Sequence, residues 1–248
     1  MHQIGCVIVT REENVRKVKF LERPNRFLAK VEVDGEIIDV YVPNPGRMYE
    51  FMIPGREVFI RYNPGVNRKT SYDMIGIQHD GVLVSLDSNL PNRFIKGLLE
   101  NHELEQFKNY KEVIPEPRAY SGRFDFLLEG ENHRAFVEVK SCTLVVRKRV
   151  LFPDAPTTRG ARHMRHLAHA LVSGDVDDAA VIFVIQRPDG EIFSPHDGND
   201  PDFGNALREA HDQGVRIIPL ITEVVDWKLH LLGEIPYNLG PLESEMFD

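Results

Sequence analysis

Cysteine is scarce in this 248-residue chain: the two present, Cys6 and Cys142, are too few for a disulfide framework or a cysteine metal cluster. Long apolar runs are missing as well. The longest strictly apolar stretch, Ala179 to Ile185, falls far short of the roughly 18 residues that a spanning helix requires. No charged-then-apolar leader is visible, because Arg11, Glu12 and Glu13 interrupt the apolar start. Repeats and low-complexity tracts are also absent, and 18 Gly and 16 Pro are too few for collagen-like or disordered classes. These absences lead us to expect a soluble cytoplasmic protein with no membrane partner.

With 42% apolar and 27% charged residues the chain has material for a sizeable core, and its length suits one large or two small domains. The formal net charge of −8 argues against a nucleic-acid partner until its distribution is considered. Between Asn14 and Lys30 six bases, among them Arg16 and Lys17, face Glu22 alone. Between Lys140 and Arg165 seven bases, among them Arg159 and Arg162, face Asp154 alone. The acids concentrate in Asp175 to Asp202 and in Glu223 to Asp248. Two basic patches on an acidic body suit an oriented polyanion, although such runs also arise as solvated faces.

Up to about residue 86 the pattern is β, with short runs at Ile4–Val9, Arg26–Val33, Glu36–Val42, Glu57–Tyr62 and Val82–Leu86. Asp34-Gly35 and Asp80-Gly81 are strong hairpin signals, and Pro43 to Gly46 and Pro54-Gly55 break the chain between strands. Such spacing suits a small OB-like barrel, on which Phe27, Tyr41, Phe59 and Tyr62 serve either as core or as a nucleic-acid surface. From Asp87 onward helices and strands alternate, placing a domain boundary there: 1–86 and 87–248. Helices are expected from Asp87 or Ser88 to about Phe107, over Thr157 to Val172 and over Pro201 to Gln213. Strands are expected near Val113 and over Arg123–Leu128, Ala135–Val146, Ala179–Gln186, Val215–Ile221 and Trp227–Leu232.

The chemistry concentrates between Arg123 and Lys140. A hairpin turning on Glu131 and Asn132 pairs residues whose numbers sum to 263, which sets Asp125 opposite Glu138 and Arg123 opposite Lys140 on one face. Phe124, Phe126, Leu128, Ala135, Val137 and Val139 fall on the other. Two neighbouring carboxylates repel unless a positive charge lies between them. Mg²⁺ or Mn²⁺ held by Asp125 and Glu138, with Lys140 acting on the attacked phosphoryl group, would make this a site of phosphodiester hydrolysis. A structural network in which Arg123 and Lys140 neutralise the two acids is the alternative. The helix after the hairpin carries an apolar stripe (Ala161, Met164, Leu167, Ala168, Leu171), with His163, His166 and His169 among its polar positions; phosphate contacts or solvent exposure suit them better than a zinc site.

Val137-Glu138-Val139-Lys140-Ser141, then Leu151-Phe152-Pro153-Asp154-Ala155-Pro156-Thr157 with Arg159-Gly160, and earlier Pro43-Asn44 with Gly46-Arg47-Met48, resemble the sugar fermentation stimulation protein family, SfsA. Leu90 to Arg93, Arg123 to Phe126, Gln186 to Asp189 and Asp200-Pro201 with Phe203 are similar to its other signatures, so the likeness runs through about Ile221. It departs from the family pattern at Val42, Pro45 and Cys142. The resemblance implies a mixed α/β chain, an N-terminal OB-like barrel followed by a PD-(D/E)xK nuclease-like αβββαβ domain. It also implies DNA binding and a link to regulation of sugar (maltose) metabolism. The nuclease motif falls on Asp125, Glu138 and Lys140, and in that fold the main-chain carbonyl between Glu and Lys, here of Val139, completes the metal site. The expected partner is DNA, single- or double-stranded, met by Arg16, Lys17, Arg47, Arg123, Arg159, Arg162 and His163. The rival readings are a non-catalytic DNA-binding regulator and a carbohydrate-active enzyme using the two carboxylates.

Overall fold

The computed structural model describes residues 14–242; the strand expected at Ile4–Val9, and Cys6, lie outside the described residues. Six strands form the first sheet: β1 (Val15–Asn25), β2 (Leu28–Val33), β3 (Glu36–Tyr41), β4 (Glu57–Tyr62), β5 (Tyr72–His79) and β6 (Val82–Ser85). Their order is β3-β2-β1-β4-β5-β6, and Tyr41 of β3 pairs back with Asp73 of β5, which closes the sheet into a barrel. Both Asp-Gly dipeptides make two-residue turns with positive φ at each position (54° and 86°, 47° and 81°), the conformation that this hairpin type needs. Val18, Phe20, Val31, Val58, Ile60, Met74 and Ile77 fill the interior. The basic stretch is therefore a strand, β1, in which Val18 and Phe20 point inward while Lys17 and Lys19 point outward.

The second half continues with α1 (Leu90–Glu100), β7 (Glu112–Pro115), β8 (Arg118–Ala119), β9 (Gly122–Arg123), β10 (Phe126–Glu129), β11 (Arg134–Cys142), β12 (Val145–Val146), β13 (Arg149–Phe152) and α2 (Thr158–Val172). It ends with β14 (Asp178–Ile185), β15 (Ile192–Pro195), α3 (Pro201–Asp212), β16 (Arg216–Val225) and β17 (Lys228–Glu234). The main sheet has the order β17-β16-β14-β11-β10-β7, with β11, β14 and β16 parallel. Helix α1 covers one face through Ile95, Leu98 and Leu99, while α2 and α3 cover the other through Met164, Leu167, Phe203 and Leu207. Burial on both faces explains the unbroken apolar run of β14. The sequence α1, β7, β10, β11, α2, β14 is the αβββαβ order, so the chain is a mixed α/β fold of an OB-like barrel and a nuclease-like domain.

Helix α1 starts later than expected, because Pro91 fits its first turn and Asp87 is engaged before it. Asp87 accepts the Asn89 N–H at 2.9 Å and pairs with Arg93 at 2.7 Å. Helix α2 is capped by Thr157, which accepts the Gly160 N–H at 3.0 Å, and α3 by Asp200, which accepts the Phe203 N–H at 3.0 Å. The second oxygen of Asp200 accepts the Thr157 N–H at 2.6 Å, coupling the two helix starts.

Several contacts join the domains, among them the Ser88 hydroxyl donating to the Pro43 carbonyl at 2.7 Å. Trp227, in the β16–β17 turn, packs edge-on against Phe59 at 5.0 Å and so closely over Gly76 that a Cβ there would stand 2.5 Å from its ring. Asp154 accepts the N–H groups of Arg47 and Met48. The Arg187 guanidinium lies 6.0 Å from the Phe51 ring.

Candidate active site at the domain boundary

Strands β10 and β11 keep the register in which paired numbers sum to 263, from Glu129↔Arg134 to Phe126↔Val137, but the ladder stops at Phe126. The chain bends away at Asp125, so two expectations fail. Arg123 is not opposite Lys140; it pairs with Arg118 in the β8–β9 ladder and forms an exposed ion pair with Glu116 at 3.0 Å. Phe124 joins the core under α2 rather than the opposite face with Phe126. Asp125 itself still reaches across. Its Oδ2 accepts the Val139 N–H at 2.7 Å, and its Oδ1 accepts the Asn92 side-chain amide of α1 at 2.6 Å.

Glu138 is 3% exposed. Its Oε1 accepts from Lys140 Nζ at 2.6 Å and from His163 Nδ1 of α2, while Oε2 is buried with no partner. Arg159 Nε donates to the other ring nitrogen of His163 at 3.4 Å, which leaves the ring proton on Nδ1 facing Glu138. His163, expected to meet nucleic acid, is instead buried between Arg159 and Glu138 because it lies on the inward stripe of α2. His166 and His169 lie against the Tyr120 ring, each 5.2 Å between centroids.

Burial pushes the Asp125 carboxyl up to about 6, and the nearby Glu138 carboxylate adds to the rise. Burial also opposes ionisation of Glu138, but Lys140 and His163 outweigh it and hold that carboxyl below its usual range. The pair is thus a carboxylate and a carboxyl that readily keeps its proton. A carboxyl whose folded value lies above its unfolded one stabilises the protein at low pH and loses that contribution as pH rises through the folded value. Between pH 3.8 and about 6, metal-free protein should lose about 3 kcal/mol of stability from this group. Melting of wild type and Asp125→Asn across that range checks this: the difference between them should change with pH below 6 and flatten above it. A constant difference would show that Asp125 titrates normally.

Among the described residues no group of three or more His, Cys, Asp or Glu side chains converges on a common point. The donor set here is sparser, but it suits a hard cation that keeps several waters. The unpartnered Glu138 Oε2 is a buried oxygen without a donor, and Asp125 stands beside it with lone pairs to spare. The N–H and C=O of one strand residue point to the same side, so the Val139 carbonyl turns, like its N–H, towards Asp125, beyond the end of the β10 ladder. Two carboxylates and one carbonyl fit Mg²⁺ or Mn²⁺.

Val139 and Lys140 line a cleft of about 1110 Å³ between the domains, with Arg26, Arg47 and Arg159 on its walls. The loop carrying Arg47 is shaped by Arg23, whose half-buried guanidinium donates to the carbonyls of Arg26, Asn44, Gly46 and Arg47 at 2.6 to 2.9 Å. Arg23 is therefore a scaffold rather than a free cation. Arg162 is exposed on α2 outside the cleft lining. Arg16 and Lys17 are not among the residues that line the cleft with Arg159: they stand three to four residues, roughly 10–13 Å, back along β1 from Phe20, where the lining begins, and pair with Asp34 at 3.3 Å and Glu57 at 2.6 Å. In the second basic cluster Lys148 pairs with Glu191 and Arg165 with Asp202, so much of that charge is neutralised locally. Asn92 and the Glu138-facing role of His163 were missed by sequence reasoning. Asn92 lies within the Leu90 to Arg93 signature, but its contact with Asp125 depends on tertiary packing.

Family models match the chain in two consecutive segments, residues 21–86 to the SfsA N-terminal OB domain and residues 89–227 to the sugar fermentation stimulation protein RE domain. A sugar fermentation stimulation protein homolog from Clostridium kluyveri is 40% identical over 228 residues, covering 92% of this chain and 98% of the relative. One from Moorella thermoacetica is 44% identical over 206 residues, covering 82% and 88%. The solved structure of Pyrococcus furiosus SfsA in complex with Ca²⁺ matches with a TM-score of 0.81 at 29% identity, covering 90% of this chain and 96% of that one. No helix among the described residues is long and apolar enough to cross a membrane.

Proposed function

The chain belongs to the sugar fermentation stimulation protein family, and from that premise and the geometry of the cleft we propose that it binds DNA between its domains and hydrolyses a phosphodiester bond with Mg²⁺ or Mn²⁺. The observation that carries the reading is Glu138, a buried carboxylate whose Oε2 has no donor, set beside Asp125 directly behind Val139 and Lys140, which line a cleft walled by cations. Asp125, Glu138 and the Val139 carbonyl would hold the cation, which supplies Lewis-acid polarisation of the scissile phosphate. The Ca²⁺ of the Pyrococcus furiosus relative supports a hard divalent cation here.

Each residue then has a separate task. Arg26, Arg47 and Arg159 neutralise backbone phosphates along the cleft and fix the strand's register over the carboxylates. Asn92 and the Val139 N–H hold the Asp125 oxygens in place, and His163 does the same for Glu138 Oε1. Lys140 keeps an ammonium at the cleft floor, where it stabilises negative charge developing on the attacked phosphoryl group.

Incubation of labelled single- and double-stranded DNA with Mn²⁺, Mg²⁺ or EDTA tests the reading. Cleavage that requires metal and is lost in Asp125→Ala is the expected result; retention without cleavage favours a regulator that uses the same cleft. Because three arginines besides the scaffolding Arg23 line the walls, log affinity should fall against log salt with a slope of about −2 on a single strand and about −3 on a duplex. An affinity indifferent to salt would remove the phosphate contacts from the mechanism.

A further inference from the structure

The cleft does not end at its cations. Of the aromatics on the barrel, Phe27 is 47%, Tyr41 36% and Tyr49 74% exposed. A large ring left in water wants a reason when several stand in a row, and these do. Tyr49 lies in the cleft with the Arg47 guanidinium 6.0 Å from its ring centre. Arg26, also in the cleft, lies 6.0 Å from the Phe27 ring, which is near-parallel to Tyr41 (10°, centroids 6.4 Å apart). Arg68 follows, 5.6 Å from the Tyr41 ring. Aromatic and guanidinium groups thus alternate from the cleft out across the β1–β2 turn.

The row is rigid before anything binds. The Phe27 N–H is held by Asn25 Oδ1 at 2.9 Å, and the Phe27 carbonyl accepts the Val42 N–H at 3.0 Å, which locks the turn against the end of β3. Two acids stand near the outer end: Asp73 is engaged by Arg68 and by Asn63 at 2.6 Å, and Asp39, two residues before Tyr41 on β3, is paired in register with Lys30 of β2. Surface cation–aromatic pairs contribute only about 0.5–1 kcal/mol to a fold, too little to explain three exposed rings in series. Fixed rings interleaved with cations are, however, the surface on which unpaired bases stack while arginines track their phosphates. A duplex keeps its base faces internal and cannot use it.

We propose that single-stranded DNA leaves the catalytic cleft over Arg26 and stacks bases on Phe27 and Tyr41. This deepens the nuclease reading and rests on it: the substrate is a single strand, or a duplex with a single-stranded extension, rather than an intact duplex.

The test is fluorescence polarisation of fluorescein-labelled oligothymidylate against the full chain, with a blunt duplex and oligouridylate as competitors. Phe27→Ala and Tyr41→Ala should each weaken oligothymidylate binding about tenfold to a hundredfold, while Tyr41→Phe, which keeps the stacking face, binds as wild type. Neither alanine variant should alter duplex binding or melting temperature. Unchanged oligothymidylate affinity in both, an equal loss on the duplex, or preference of the wild type for oligouridylate overturns the assignment. If wild type binds neither form of DNA, the cleft reading itself has failed; if it binds DNA but is indifferent to the two rings, only this inference falls.

Discussion

Lys140→Met is expected to slow metal-dependent cleavage by on the order of a hundredfold or more while leaving Mn²⁺ and DNA binding in place, the scale for a group that acts on charge developing in the transition state. Methionine keeps much of the lysine stem's packing, so the change isolates the ammonium. The geometry gives the alternative real weight: Lys140 Nζ lies 2.6 Å from Glu138 Oε1, with both side chains largely buried, as in a purely structural ion pair. Breaking such a pair leaves an uncompensated charge and costs about 3–5 kcal/mol, so the metal-free variant should melt earlier. A Mn²⁺-dependent rise in melting temperature would show the variant folded with its metal ligands intact. Single-turnover cleavage measured beside that melt decides the role. Cleavage at the wild-type rate would make Lys140 a partner of Glu138 and nothing more.

A loss of stability as large is expected from His163→Ala. His163 is 3% exposed and gives the Glu138 carboxylate one of its two donors. A hydrogen bond to a buried charge contributes about 1.5–3 kcal/mol, and an emptied imidazole site adds a cavity penalty, for a combined loss of about 3–5 kcal/mol. In a protein of this size that lowers the melting temperature by roughly 6–20 °C. His163→Asn, which retains a donor, should recover part of the loss. A drop of only a degree or two would mean that Lys140 alone is enough for Glu138.

Much of this arrangement was legible in the sequence, and where it was not the reasons are physical. The β10–β11 register follows from a two-residue turn and strict alternation, both local properties. Arg123 was misplaced because alternation assumes that the strand continues, whereas the chain bends at Asp125 and forms the separate β8–β9 ladder. Strand β1 was hidden by its own charge: Lys17 and Lys19 mask the inward Val18 and Phe20, and Pro24 near its end reads as a break. Charge counting grouped Arg16, Lys17 and Arg23 together, yet two of them pair with nearby acids and the third binds carbonyls. His163 could not be told from His166 or His169 by type, since only the packing of α2 against the sheet decides which of them faces Glu138.

The grip of Asp154 on the N–H groups of Arg47 and Met48 sets an order of events during synthesis. The barrel leaves the ribosome first, but the acceptor for its cleft-side loop follows roughly a hundred residues later, a delay on the order of 5 to 20 s at ordinary elongation rates. Throughout that interval Arg23 can already gather the loop's carbonyls while its N–H groups still face water. One wall of the cleft is therefore completed by the newborn second domain, and the cleft closes only after Asp125 and Glu138 have also been made.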